Sequence, residues 1–309
     1  MSSQDQTHTN GHQRAGEPKS SAPIGVFDSG VGGLTVLSDL LRELPDERYI
    51  YFGDTGNCPY GVRSEEEIQR LSLAGVRWLL ERGAKVIVVA CNTASVSALD
   101  VLRKQIGDPL DVPFVGVVPA VKPAAERTRT GKVGVAATEA SANGDYLKRL
   151  VAEHAETRGV EVLAVGCPDL VTLAEEGILE GPRAEAVILG YIAPLLAAGI
   201  DELVLGCTHF PAMRSAFERV AGPAVEVIDS GAAIARRTRW VLEQRGELTA
   251  PEGTPAEKPR APDPTRDEFW CSGDVERFAQ VARAILGHAV QARHAEGLCA
   301  ETTHAATRE

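Results

Sequence analysis

The sequence of 309 residues is poor in aromatics, at 5%, and has no dense stripe of lysine and arginine; its formal net charge is −11. A protein that grips phosphates needs a basic face, so direct nucleic-acid binding is not expected. Long apolar runs are missing as well. None approaches the roughly 20 residues needed to cross a bilayer, and no membrane partner is expected. The start, Met-Ser-Ser-Gln-Asp-Gln-Thr-His, lacks the apolar stretch of a signal peptide. That points to the cytoplasm, where thiols stay reduced. The six cysteines (58, 91, 167, 207, 271 and 299) contain no Cys-x-x-Cys pair, so neither a structural zinc site nor a thioredoxin-like motif is indicated. The glycine-rich turn Ser29-Gly30-Val31-Gly32-Gly33 lacks a Gly-Lys-Ser/Thr ending and is not Gly-x-Gly-x-x-Gly. A nucleotide site there has little support; the glycines are better suited to letting backbone N–H groups approach a carboxylate.

The chain is 44% hydrophobic and 24% charged, as globular proteins are, and is long enough for two domains. Short runs rich in Val, Ile and Leu fall at 24–27, 48–52, 86–90, 114–118, 133–136, 161–165, 203–206 and 225–228. Their length and their Gly, Pro and Asp boundaries predict buried strands. Amphipathic stretches at 34–44, 64–82, 93–105, 142–158 and 182–198 predict helices between them. This alternation predicts an α/β fold with mainly parallel sheets flanked by helices. Two pseudo-symmetric lobes around one cleft are expected, because strand–Cys–Thr elements recur and Val-Phe-Asp28-Ser29-Gly30 is echoed by Val-Ile-Asp229-Ser230-Gly231. The alternative is a single large sheet. In the two-lobe reading, 23–116 with 225–290 makes one lobe and 117–224 the other. Residues 1–22 and 291–309 read as polar tails, the first disordered, and 251–265 as a Pro-rich surface loop. A last strand is expected at 268–271 and a last helix at 275–286.

Cys91, in Val-Ile-Val-Val-Ala-Cys91-Asn92-Thr93, and Cys207, in Leu-Val-Leu-Gly-Cys207-Thr208-His209, each close an apolar run. Both are expected where a strand ends and a helix begins, the edge at which open α/β sheets bind ligands. A free thiol has a pKa near ~8.5, so a nearby positive helix end would help form thiolate. Two thiols facing one another across a cleft can take a proton from one side of a carbon and return it to the other. A single buried cysteine is more often an inert small hydrophobe, and Cys58, Cys167, Cys271 and Cys299 keep that reading. His209 can polarise the Cys207 thiol or a substrate carboxylate. Asp28 can act as a polariser on the Cys91 side, although an Asp at a strand end is often a helix cap. Asn92, Thr93 and Thr208 offer hydrogen bonds at the same edge, with Asn92 and Thr93 equally readable as caps. Tyr60 serves equally as a cleft wall or a packing residue.

Five ordered segments carry a resemblance. They are Pro-Ile-Gly-Val-Phe-Asp28-Ser29-Gly-Val-Gly-Gly-Leu-Thr, Tyr-Phe-Gly-Asp-Thr with Cys-Pro-Tyr60-Gly61, Ala-Cys91-Asn92-Thr93-Ala, Leu-Gly-Cys207-Thr208-His209-Phe-Pro and Ile-Asp229-Ser230-Gly. From Pro23 to about Leu286 the chain resembles the cofactor-independent bacterial glutamate racemases of the aspartate/glutamate racemase superfamily. The resemblance implies reversible interconversion of L- and D-glutamate without pyridoxal phosphate, metal or nucleotide, in support of peptidoglycan synthesis. It implies that Cys91 takes the α-proton of the D-isomer and that Cys207 acts on the L-isomer. Asp28, Ser29, Tyr60, Gly61, Asn92, Thr93, Thr208 and His209 would hold the amino acid, and Glu175 would assist on the Cys207 side. A homodimer and a side interaction with DNA gyrase are further implications. The turn Ala137-Thr138-Glu139-Ala140-Ser141 departs from the Thr-rich turn common among such enzymes. Thr138 and Ser141 are candidate substrate contacts there, with Ser141 standing in place of a second Thr. Competing functions are racemisation of aspartate or another amino acid and a thiol hydrolase built on Cys207 and His209.

Overall fold

The computed structural model describes residues 19–250 and 260–296. Two sheets form, each parallel in every pairing. The larger has the order β10-β9-β2-β1-β3-β4, from β1 (Ile24–Asp28), β2 (Tyr49–Gly53), β3 (Val86–Val89), β4 (Phe114–Gly116), β9 (Glu268–Cys271) and β10 (Ala292–His294). The smaller has the order β6-β5-β7-β8, from β5 (Lys132–Ala137), β6 (Glu161–Gly166), β7 (Glu202–Leu205) and β8 (Glu226–Ile228). The expected α/β class with helix-flanked parallel sheets is therefore observed.

Side chains alternate faces along each strand, and the apolar core divides accordingly. Ile24, Val26, Val86 and Val88 face the helices Leu34–Glu43 and Gly231–Arg245 on one side of the large sheet. Phe27, Ile87 and Val89 pack with Ile68, Leu71 and Val76 of the helix Glu65–Glu81 on the other. The small sheet repeats this, with Leu203 and Leu205 on one face and Val133, Val135 and Val204 on the other. Gly75 lets that helix lie against the sheet, since a Cβ there would come 2.5 Å from the Phe27 ring.

Four boundaries differ from the sequence reading. Glu226–Ile228, expected in the first lobe from residue 225 on, pairs with β7 in the register Leu203↔Val227 and so belongs to the small sheet. Val227 and Ile228 bury their side chains on opposite faces of the small sheet, which fixes the strand there. Residues 292–294, expected in a polar tail, form an edge strand on β9 with the register Arg293↔Trp270. Backbone pairing and the Arg293 guanidinium over the Trp270 ring hold this strand, which has no apolar run to reveal it. Within the expected loop 251–265, residues 251–259 lie outside the described residues, but Arg260 is anchored: its guanidinium donates to Glu47 O and to Asp267 Oδ1, both at 2.8 Å. The disordered tail expected at 1–22 lies outside the described residues up to 18, and Lys19–Ser21 forms a short 3-10 turn.

Charged groups secure the lower ends of both sheets. Before β3, Lys85 meets Glu47 at 2.6 Å with both side chains about 1% exposed. Before β7, Asp201 accepts bonds from Arg129 N at 2.7 Å, Thr130 N at 3.2 Å and the Thr128 hydroxyl, closing the turn into β5. Burial alone would raise its pKa, but these donors favour the carboxylate more strongly and bring it down to about 2. A depressed carboxyl stabilises the fold above its ordinary value of 3.8 and loses that contribution as pH falls toward 2. Asp201→Asn should therefore melt below the parent at neutral pH. That gap should narrow in thermal melts stepped from pH 4 down toward 2.

Candidate active site

The strand registers align the carboxyl ends of the sheets. Phe27 pairs with Val89, which sets Asp28 and Ser29 beside Ala90 and Cys91. Ala136 pairs with Leu205, which sets Thr138 level with Cys207. Each cysteine continues the parity of its strand, Cys91 on the face of Ile87 and Val89, Cys207 on that of Leu203 and Leu205. The two thiols have different surroundings. Cys91 caps the helix Asn92–Ser97, accepting from Ala94 N at 3.4 Å and donating to Ser29 Oγ at 3.3 Å. Cys207, against expectation, is not followed by an α-helix. A turn leads into the 3-10 segment Phe210–Met213, and His209 Nδ1 lies 3.6 Å from the sulfur instead.

The carboxyl edges of the sheets meet in a buried polar junction. Asp28, fully buried, accepts from Gly30 N at 2.8 Å and from Thr208 Oγ1 at 3.1 Å, so it bridges to the residue after Cys207. Thr35 Oγ1 donates to Thr208 O at 3.1 Å, and Thr93 Oγ1 is 3.2 Å from Thr138 Oγ1. Thr138 donates in turn to Ser141 Oγ at 3.0 Å and caps the helix Glu139–Asn143. Gly61 abuts Thr138, whereas the Tyr60 hydroxyl is engaged by Asp54 at 2.6 Å and its ring packs near Phe27. The packing reading of Tyr60 is the one its contacts favour. Asn92 and Cys207 line a cavity of about 10 Å³, room for about one water. A hollow of about 870 Å³ lies beyond Thr35 and Ser230, lined by Arg42, Lys122 and Arg127 among others, and neither thiol borders it.

Glu175 ends the helix Pro168–Glu175 and reaches His209 Nε2 at 2.6 Å. It also accepts from Val31 N at 2.8 Å. The glycine-rich turn does present an N–H to a carboxylate, but the carboxylate is the protein's own. All three of its glycines are closely approached: a Cβ on Gly30 would strike the Glu175 carboxylate, one on Gly32 would lie 2.7 Å from the backbone N of His209, and one on Gly33 2.6 Å from Asp28 Cβ. Cys58, assigned a purely structural part by the sequence, joins this group through a 3.5 Å contact of its sulfur with Glu175 Oε1. Its place in the Cys-Pro-Tyr60-Gly61 segment was the available signal. Cys167 and Cys271 bond to backbone carbonyls nearby and keep the structural reading, while Cys299 lies outside the described residues.

Burial would lower the His209 pKa, but its bonds to Cys207, Cys58 and Glu175 prevail and hold it well above the usual imidazole value. Glu175, which burial would raise, is held below the usual carboxylate value by His209 above all. The pair is a cation and an anion at neutral pH. Burial, with a further push from Asp28, moves the Cys91 thiol up to about 12, although Ser29 and Ala94 N oppose it, and the charge of Cys207 adds slightly. Burial likewise raises Asp28 against the bonds it accepts.

Residues 24–238 match the Asp/Glu/hydantoin racemase family. The chain belongs to this family. Similar Asp/Glu/hydantoin racemases include a glutamate racemase from Herpetosiphon aurantiacus, 46% identical over 263 residues, covering 85% of this chain and 97% of that protein. One from Roseiflexus sp. is 47% identical over 269 residues, covering 86% and 93%. Among solved structures, glutamate racemase from Francisella tularensis in complex with D-glutamate aligns with TM-score 0.74 at 27% identity, over 89% of this chain and 98% of that one. The Escherichia coli glutamate racemase in complex with L-glutamate and the activator UDP-MurNAc-Ala aligns with TM-score 0.74 at 34% identity, over 88% and 97%.

The contact at Gly32 gives a direct test. Because the obstructing atom is backbone, Gly32→Ala should lose about 2 kcal/mol to overpacking. Gly190→Ala, in the helix Pro182–Ala197 with nothing within 4 Å, should gain about 0.5–1 kcal/mol. Denaturant melts of the two variants beside the parent measure both.

Proposed function

We infer that this protein is a glutamate racemase, which interconverts L- and D-glutamate by proton transfer between Cys91 and Cys207 and supplies D-glutamate for peptidoglycan. The substrate follows from relatives of about 46% identity that share nearly their whole length with this chain, and from two solved relatives holding opposite enantiomers of glutamate. The observation that carries the mechanism is the pair of buried thiols, one at the carboxyl edge of each sheet, joined through Ser29, Asp28 and Thr208.

The two thiols divide the work between them. Cys91, with a pKa near 12 in the closed site, is held as the protonated donor. His209 Nδ1 stands 3.6 Å from the Cys207 sulfur, and Cys207 removes the α-proton of L-glutamate while Cys91 delivers one to the opposite side. The reverse direction exchanges the roles. Glu175 fixes the imidazole and stabilises its charge, and Asp28, Ser29, Asn92, Thr93, Thr138, Ser141, Thr208 and Gly61 form the polar wall around the amino acid. Such preorganised donors offset the charge that develops beside the substrate's own carboxylate.

A cytoplasmic setting belongs to this reading because both thiols must remain reduced. No helix among the described residues is long and apolar enough to cross a membrane. The homodimer and the DNA gyrase contact implied by the resemblance are measured by sedimentation and by a supercoiling assay.

Cys91→Ala and Cys207→Ala should each cut racemisation by about 10²–10⁴-fold or more, measured by polarimetry without added cofactor. L- and D-glutamate have equal free energies in water, so kcat/KM must fall equally in both directions. The parent should place solvent deuterium at the α-carbon in heavy water. Full activity in either variant would exclude the two-thiol scheme, and faster turnover of aspartate than of glutamate would exclude the substrate.

A further inference from the structure

Cys58 stands outside the proton-transfer pair, yet its sulfur shares a corner with two charged groups of the site. Its Sγ lies 3.5 Å from Glu175 Oε1, and the same oxygen is 2.6 Å from His209 Nε2. One donor atom from each of the three side chains lies within 4.8 Å of the others. Cys58 and Glu175 also border a hollow of about 380 Å³, walled by Thr55, Asp274 and Arg277, which neither Cys91 nor Cys207 lines. The corner thus has an approach of its own, which neither thiol borders.

We propose that Cys58, Glu175 and His209 form a binding site for a thiophilic divalent cation, zinc being the best match, and that an ion bound there halts the racemase. The inhibitory part rests on the function argued above; the binding part does not. Thiolate, imidazole and carboxylate together are a zinc donor set. Tetrahedral bonds of about 2.0–2.3 Å put donor atoms roughly 3.3–3.8 Å apart. The Cys58–Glu175 separation already fits, and the His209–Glu175 contact must open by about 1 Å, within reach of a carboxylate that turns about its own bonds. His209 keeps Nδ1 toward Cys207 and offers Nε2 to the ion. The fourth position faces the hollow and takes water.

Binding replaces the Cys58 thiol proton and the proton shared by His209 and Glu175, both released to solvent, and no electrons move. Thiolate and carboxylate balance the two charges of the ion. The imidazole then serves as a neutral ligand, so Cys207 loses the cation beside it and Glu175 is pinned. No Cys-x-x-Cys spacing announces this site, because its ligands come from three separate segments.

Metal-free full-length protein titrated with cobalt(II) chloride reads the site through its near-ultraviolet thiolate-to-cobalt charge-transfer band. The parent should show that band at one cobalt per chain, displaced by zinc. Cys58→Ala should lose it, whereas Cys91→Ser and Cys207→Ser should keep it, and Glu175→Gln should bind about tenfold more weakly or worse. Zinc inhibition of racemisation, scaled to each variant's own metal-free rate, should weaken about tenfold or more in Cys58→Ala. Circular dichroism checks that this variant is folded, with Cys58→Ser as the second variant. The proposal is overturned by the absence of a band in the parent, by a band that survives Cys58→Ala, or by unchanged zinc inhibition. The cobalt spectrum needs no turnover, so its failure is distinct from a failure of racemisation.

Discussion

Burying charge between two lobes is costly unless every charged group finds partners, and the rest of the site follows from that requirement. Asp28 comes from one lobe and satisfies an oxygen with Thr208 of the other. Glu175 comes from the second lobe and takes an N–H from Val31 of the first. The turn between Asp28 and the helix Leu34–Glu43 must pass so close to His209 and Glu175 that Gly30 and Gly32 have no room for a side chain. The close approach of the carboxyl edges is thereby bound to the electrostatics that the thiols experience.

Chemically equivalent thiols become unlike through their neighbours. Cys91 sits at a helix start against Ser29, while Cys207 has no helix and stands beside a histidine held as a cation by Glu175. The near repetition of strand, cysteine and threonine gives two similar frames, and the difference in charge between the frames gives the reaction a resting polarity. A symmetric pair of free thiols would have neither a ready base nor a committed acid.

Short continuous runs of Val, Ile and Leu made most strands legible, since burial on both faces of a parallel sheet demands them. The helices 275–286 and 182–198 were equally plain from their amphipathic spacing, the second ending one residue earlier in the structure. Glu226–Ile228 was visible as a strand but not as a member of the small sheet, because its sequence says nothing of which neighbour it pairs with. β10 was hidden, its three residues being held by main-chain pairing. In the site, Cys91, Cys207, Asp28 and His209 stood out at strand ends. Glu175 entered only through resemblance, and Cys58, though part of a resembling segment, was read as structural. Both are brought to His209 by the docking of distant loops, which no local pattern encodes.

The large sheet is assembled from two separated stretches of chain, with β9 and β10 following the whole of the small sheet. During synthesis the ribosome therefore releases a finished second lobe while β2 still has an open edge. That edge offers unpaired amides to other chains until residues 268–271 emerge. Folding of the first lobe must wait for the far end of the polypeptide, and the cell must shield a half-built sheet in the meantime.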